Sequence, residues 1–185
     1  SEILPPLAAA AAARSEAGAN PQTENTALLF ALSAHLVLSS GYADAPNSPE
    51  IRLRRRQDLA QHVINSASIA AIAGVQLAEI ISTGKEAFDA RYRSGFSFSD
   101  LTANRVGIKL AQLAVESEAS ALAFQARVQK IEVDADLIPL VSGSRDGLTQ
   151  REFEANYDDR SSVEYRRRVD SIDSEVAALP LFATP

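Results

Sequence analysis

The feature that most constrains the fold is a set of long segments in which apolar residues recur at helical spacing. The longest pattern runs from about residue 51 to residue 92 and includes ASIAAIAGVQLAEII. A second, ALLFALSAHLVL, follows a capping sequence at Thr23 and ends before Gly41. No segment alternates convincingly between apolar and polar residues, as a half-buried strand does. The sequence therefore predicts an all-α fold, a single helical domain of about five to six helices.

The expected organisation has three parts. Residues 1–22 are rich in alanine and contain three prolines, and we expect an extended or mobile N-terminal arm there. Residues 23–180 are expected to form the helical domain, whose last helix ends at Pro180. Residues 181–185 then form a C-terminal tail.

Glycines and capping sequences predict the helix boundaries. Gly74 and Gly84 are expected to interrupt the long pattern and divide it into two helices. In SGFSFSDL, the Ser97 side chain is expected to accept from the amide of Asp100 while the Asp100 carboxylate reaches back, and this helix should continue towards Lys130. Two further capping boxes predict a short helix near residues 150–157 and a last helix near residues 162–179: Thr149 with Glu152, and Ser161 with Glu164.

Charge and composition exclude several classes of function. The chain has 18 basic and 24 acidic residues and a net charge of -6, which argues against binding to nucleic acid. Its two short basic runs, RLRRR and YRRR, are interpreted as solvated helix faces. The absence of cysteine excludes disulfides, thiolate metal sites and lipid attachment at a cysteine of this chain. No apolar run approaches the roughly 18 to 20 residues that span a bilayer.

Small charged residues are unusually dense in GKEAFDARYRSGFSFSDLTANRVG, residues 84–107. Side chains three or four positions apart share a helix face, so three helical segments each present a polar face. The apolar residues around them predict that these faces point inward, where small residues such as Gly107 and Ala111 allow another helix to come close. We expect one buried polar cluster that holds helices together: Asp58, His62, Lys85, Glu86, Asp89, Asp100 and Asn104.

The same residues permit a chemical interpretation. His62, oriented by Asp58 and close to Glu86 or Asp100, has the groups needed for acid–base catalysis. With His35 as a second nitrogen ligand, His62 has part of the donor set of a metal site. Neither interpretation is supported by a specific motif such as HExxH or GxSxG. The structural interpretation is therefore favoured, and no catalytic residue, cofactor or metal is assigned.

Two segments carry a resemblance to known proteins. DLAQHVINSASIAAIAG and GKEAFDARYRSGFSFSDLTANRVG resemble an uncharacterised group of exported proteobacterial proteins with the pattern DLxQH, KExxD and GFSFxDLxAxxxG. The chain is more distantly similar to the YfiM-like periplasmic lipoproteins and the VanZ-like superfamily. The close resemblance covers about residues 56–111, and weaker similarity follows in GLTQREFEANYDDRSSVEYRRRVDSIDSEVAALPLF. The matching positions are Asp58, His62, Lys85, Glu86, Asp89, Phe96, Phe98, Asp100, Asn104 and Gly107.

The resemblance implies an export route, a periplasmic location and a helical core around the polar motif. It does not imply a membrane span or a lipid anchor, because this chain lacks both spanning segments and cysteine. A chain that begins at Ser1 and contains no methionine is what we expect of a processed or trimmed form, and a removed export signal fits this pattern.

The expected function is that of a non-catalytic periplasmic accessory or scaffold protein that contacts a protein partner or a larger assembly. The apolar helix at residues 28–38, the arm at residues 1–22 and the tail LPLFATP each offer surface for a partner, and a membrane-peripheral location is compatible with them. The alternatives are a cell-envelope hydrolase that uses His62 and Glu86, and a small-ligand carrier, which needs a cavity between helices. An open cleft at His62 would favour the hydrolase, whereas a sealed, mutually bonded cluster would favour the structural role.

Overall fold

The computed structural model describes residues 2–41, 50–92, 95–141 and 146–183, without the side chains of residues 38–41, 83 and 86–92. The described residues contain no β-strand, and the all-α prediction is confirmed. They contain more helices than the five or six expected: α1 (Leu4–Glu16), α2 (Pro21–Gly41), α3 (Gln57–Ala73), α4 (Val75–Tyr92), α5 (Phe98–Val115), α6 (Glu118–Val128), α7 (Gln150–Tyr157) and α8 (Val163–Ala177).

The first additional helix is α1, in the segment expected to be extended. That expectation was wrong, because Leu4, Ala8 and Ala11 form a buried stripe that packs on α2 and α6. Alanine is the best helix former and two prolines are tolerated in the first turn, so the local sequence permits the helix. A short helix is marginal by itself, and its stability comes from this tertiary contact.

The second additional helix arises because α5 ends at Val115 instead of continuing to Lys130. Ser117 begins α6 by accepting from the amide of Ser120, while the Ser120 hydroxyl accepts from the amide of Ser117. The break between α3 and α4 falls at Gly74, as predicted, where φ is 91°, a conformation that favours glycine. The interruption expected at Gly84 does not occur, because α4 continues through it.

The N-caps of the two C-terminal helices, α7 and α8, lie at or next to their predicted positions. Thr149 and Glu152 form the expected capping box of α7. The N-cap of α8 is Ser162 and not Ser161, and its hydroxyl accepts from the amide of Tyr165. The two serines are adjacent, and the Ser161 hydroxyl donates to Asp159 Oδ1 at 2.6 Å instead of capping the helix.

The most extensive helix contact joins α3 and α5, with α2 and α4 beside them. A Cβ atom on Gly107 would lie 2.2 Å from the carbonyl oxygen of Val63, so α5 touches the backbone of α3 at this point. The aromatic rings of Phe96, Phe98, Phe153, Tyr157 and Tyr165 pack against one another, mostly edge to face, and attach α7 and α8 to the start of α5. Because α5 touches the backbone of α3 at Gly107, the polar stripes of these two helices face each other at short range.

The basic run RLRRR is a turn, and its interpretation as a helix face was wrong. Leu53 and Arg56 exchange two backbone hydrogen bonds with N–O distances of 2.9 and 3.0 Å. Arg54 and Arg55 between them have φ values of 53° and 65°. Positive φ at both central residues is the pattern of a type I′ turn, which usually contains glycine or asparagine. The other basic run, YRRR, lies on α8, where Arg166 and Arg167 are exposed.

None of the helices in the described part of the chain combines the length and the apolar character that crossing a bilayer requires.

Candidate functional site

His62 lies between α3 and α5 with an oxygen atom next to each ring nitrogen. Its Nδ1 is 3.0 Å from Asn104 Oδ1, and its Nε2 is 3.3 Å from Asp100 Oδ2. The side chains of His62 and Asp100 are only 14% and 15% exposed. The structure thus brings together three residues of the predicted cluster at the α3–α5 contact.

The surroundings of His62 favour its protonated form. Burial lowers the pKa of His62, because it disfavours the charged ring, and the positive charge of Lys85 acts in the same direction. The hydrogen bond to Asp100, the negative charge of that carboxylate and the Asn104 hydrogen bond outweigh these effects and raise the pKa above its usual value. An imidazolium ring donates from both nitrogens, and both nitrogens here face oxygen atoms.

The polar chain continues from Asn104 towards α4. Ser66 on α3 donates to Asn104 Oδ1 at 2.8 Å, and the Ser66 hydroxyl lies 3.4 Å from the Ser82 hydroxyl on α4. Ser82 was not predicted, because a serine in an apolar helix gives no distinguishing signal. Lys85 extends to the exposed surface of α4 and acts on His62 through its charge. The side chains of Glu86 and Asp89 lie outside the described residues.

Asp58 pairs with Arg56, and the expected bond between Asp58 and His62 is absent because both ring nitrogens of His62 have other partners. Arg56 Nη2 lies 2.6 Å from Asp58 Oδ2, and Arg56 Nη1 lies 3.1 Å from Asp146 Oδ2. The hydrogen bond from Arg56 is the main reason that the pKa of Asp58 is lowered. Arg56 Nη2 is also 3.8 Å from Asp100 Oδ1, so this guanidinium connects the surface aspartates to the buried pair.

Asp146 was missed by the sequence analysis, although it anchors the start of α5. Its carboxylate accepts hydrogen bonds from both hydroxyls of Ser97 and Ser99 and from the Ser99 amide. Burial raises the pKa of Asp146, but the bonds from Ser99, Ser97 and Arg56 together lower it. Ser97 and Asp146 are 49 residues apart in the chain, so no local pattern could have found this contact.

The Asp100 carboxylate does not complete the predicted capping box. Ser97 is the N-cap of α5 and accepts from the Asp100 amide at 3.0 Å, as expected. The side chain of Asp100 faces His62, however, so the reciprocal half of that prediction was wrong. The acidic group still lies in the first turn of α5, where it interacts favourably with the helix dipole.

Two buried atoms at the centre of the cluster lack hydrogen bonds within the described part of the protein. They are Asp100 Oδ1, which is an acceptor, and Asn104 Nδ2, which is a donor. Each unsatisfied buried polar group costs about 1–3 kcal/mol. The cluster therefore fixes the relative position of α3 and α5 more clearly than it adds net stability.

His35 lies on α2 and is half-buried. Among the described residues, no group of three or more histidine, cysteine, aspartate or glutamate side chains is placed to hold a metal ion. The geometry gives no support to a shared metal site of His35 and His62.

The arrangement has little capacity for acid–base catalysis. A general base needs a free lone pair, and both ring nitrogens of His62 face partners in the chain. No family model, characterised protein or solved structure matches this chain. The resemblance to exported proteobacterial proteins therefore stays a prediction, and the functional argument rests on the geometry.

Proposed function

We propose that this chain is a non-catalytic helical accessory protein that binds a protein partner through an apolar surface on α4. The periplasmic location proposed with it rests on the sequence resemblance. The polar cluster supports the non-catalytic part of the proposal, because His62 is largely buried and both of its nitrogens are occupied.

The observation that carries the proposal is the orientation of α4. Its large aliphatic side chains Leu77, Ile80 and Ile81 are exposed, as is Ile72 at the end of α3, with exposed fractions of 44–68%. Among the described side chains of α4, those that are buried are the small Ala78 and Ser82. Burying a large aliphatic side chain stabilises a protein by about 1.5–3 kcal/mol, so three exposed on one side of α4 indicate a partner. We call Leu77, Ile80 and Ile81 the α4 face.

The surfaces first expected to bind a partner are largely occupied within the chain. The arm contains α1, and in the tail Leu179 and Leu181 are buried in the core. In α2 the leucines at positions 28, 29, 32 and 36 are buried, which leaves Phe30 and Val37 exposed. We therefore assign the proposed partner surface to α4 and not to these segments.

The charges around the α4 face favour a protein over a membrane surface. Helices that lie on membranes usually carry several lysines or arginines on their polar side. The α4 sequence VQLAEIISTGKEAFDARY contains two basic and three acidic residues, and Glu79 already pairs with Arg105 at 3.0 Å. An apolar stripe at positions i, i+3 and i+4 fits a hydrophobic groove of another protein.

A site-specific photo-crosslinking experiment tests this proposal in the cells that naturally produce the chain. We would place p-benzoylphenylalanine at Ile80 and, as a matched control, at Leu122, an exposed aliphatic residue on α6. We expect one protein adduct from position 80, absent from position 122 and lost when Leu77→Asp is added. The partner, identified by mass spectrometry and purified, should then bind the unmodified chain and not the Leu77→Asp variant.

Four outcomes would overturn the proposal. An adduct of twice the chain mass would assign the α4 face to self-association, and an adduct with lipid would assign it to a membrane. Equal crosslinking from positions 80 and 122, or no adduct at either, would remove the special role of the α4 face.

A further inference from the structure

A groove of about 820 Å³ lies on a different part of the molecule from the α4 face. It is formed by the start of α1, by α2 and α3, by the turn at residues 53–56 and by residues 132–137. Small-molecule sites in proteins usually measure about 300–1,000 Å³, so the groove is large enough for a ligand. Its floor is made of aliphatic side chains: Leu4, Leu32, Leu53, Val63, Ile64 and Leu137.

The rim of the groove carries two arginines with hydrogen-bonding capacity to spare. These are Arg54 and Arg55, because the third arginine of the groove, Arg52, is paired with Glu50 at 2.7 Å. Arg54 Nη2 donates to the carbonyl of Ile138 at 2.9 Å, which uses one of its five N–H donors. Arg55 is exposed, and within the described residues neither Arg54 nor Arg55 forms an ion pair through its guanidinium.

The backbone holds these two arginines in an unfavourable conformation. Both have positive φ, where a side chain costs roughly 1–2 kcal/mol relative to glycine. The Arg54 amide donates to Asp134 Oδ2 at 2.7 Å, which ties the turn to the opposite wall of the groove. Strained residues of this kind cluster at ligand sites, where the surrounding structure fixes them. The turn thus places two adjacent arginines in the lining of the groove, beside its apolar floor.

We propose that this groove binds a single-chain amphiphile whose aliphatic chain lies on the apolar floor and whose anionic head is held by Arg54 and Arg55. Guanidinium groups bind carboxylate and phosphate oxygens through paired, charge-assisted hydrogen bonds. Glu2 and Glu132 also line the groove and disfavour a highly charged head. The ligand class is therefore a monoanion, the carboxylate of a fatty acid or the phosphodiester of a single-chain phospholipid.

Fluorescence titration of the full chain with 11-(dansylamino)undecanoic acid tests the proposal. We expect saturable binding with one site per chain, displaced by a monoanionic amphiphile below its micellar concentration. Displacement by laurate and not by lysophosphatidylglycerol would assign the head to a carboxylate, and the reverse would assign it to a phosphodiester. Dodecyltrimethylammonium, which has the same chain length and a cationic head, should not displace the probe.

Variants separate the groove from other apolar surfaces. The double variant Arg54→Gln, Arg55→Gln should weaken probe binding at least tenfold, which corresponds to about 1.4 kcal/mol. The matched control Arg166→Gln, Arg167→Gln removes two exposed arginines from α8 and should bind like the unmodified chain. Ile80→Asp, which alters the α4 face, should also leave probe binding unchanged.

The proposal is wrong if saturable binding is absent, if the cationic amphiphile competes equally, or if the Arg54, Arg55 variant binds normally. Loss of binding in Ile80→Asp would place the probe on the α4 face and would equally overturn it. Circular dichroism and thermal melting of each variant ensure that a loss of binding is not a loss of fold. Failure here leaves the proposed partner surface on α4 untouched, because the two sites share no residue.

Discussion

The pair formed by His62 and Asp100 gives the sharpest test of the structural role assigned to the polar cluster. Asp100→Ala removes the carboxylate that lies 3.3 Å from His62 Nε2 and 3.8 Å from Arg56 Nη2. Breaking a buried ion pair by removing one partner costs about 3–5 kcal/mol. Asp100 already has one unsatisfied oxygen, and its removal ends that cost, so the lower end of the range applies. We expect a loss of about 3 kcal/mol.

The loss should depend on pH with a defined sign. The pKa of His62 is raised in the folded protein, so its contribution to stability is fully present below the unfolded pKa of about 6.5. That contribution is lost as the pH rises through the folded pKa, because the neutral ring no longer attracts Asp100. The cost of Asp100→Ala should therefore be larger at about pH 5.5 than at about pH 9.

Chemical denaturation at the two pH values measures this cost, and thermal melting offers a second readout. For a domain of this size, a loss of 3 kcal/mol lowers the melting temperature by about 6–12 °C. Asp170→Ala is the control, because Asp170 is exposed on α8, and it should change stability by no more than about 0.5 kcal/mol. A double-mutant cycle with His62→Gln should give a coupling energy of at least about 1 kcal/mol at the lower pH.

Two results would refute the structural role. Residues of an active site are often held at a cost in stability, so their removal can stabilise the fold. An unchanged or higher melting temperature for Asp100→Ala at both pH values would therefore end the structural interpretation. A cost that grows towards high pH would show that His62 is not the partner responsible.

Three further predictions are open to circular dichroism melting. Gly107→Ala should destabilise the fold by about 1–3 kcal/mol, because the new Cβ would meet the Val63 carbonyl. The control Gly84→Ala meets open space and should be neutral or stabilising, so equal effects of the two substitutions would contradict the close helix contact. Ser97→Ala should cost about 0.5–2 kcal/mol, since it removes the N-cap of α5 and a bond to Asp146, and an unchanged melt would show that the cap is dispensable. Deleting residues 1–17 should lower the melting temperature markedly, because α1 buries Leu4, Ala8 and Ala11; no change would restore the picture of an independent arm.

Local patterns in the sequence determined the helical class and several helix ends. The caps at Ser97 and Thr149 and the break at Gly74 depend on residues within a few positions of one another. Helical spacing also indicated that His62 and Asn104 lie on the inner faces of their helices. These features follow from backbone geometry and short-range hydrogen bonds, which act before any tertiary contact is made.

Tertiary structure alone decided which partner each polar group takes. The spacing along α3 allows Asp58 to bond to His62. The Asp58 carboxylate pairs instead with the guanidinium of Arg56, which carries a permanent charge. The Asp100 carboxylate contacts His62 instead of capping its own helix. Asp146, which is distant in the chain, accepts a hydrogen bond from the Ser99 amide at the start of α5.

The same competition governs the apolar surfaces. α1 is a helix because its buried stripe packs on α2 and α6. In α4, the isoleucines are exposed, and the buried side chains among those described are small. Spacing along the chain defines which residues share a face, but it does not define what that face meets. That choice depends on the burial and the partners that become available when the helices pack.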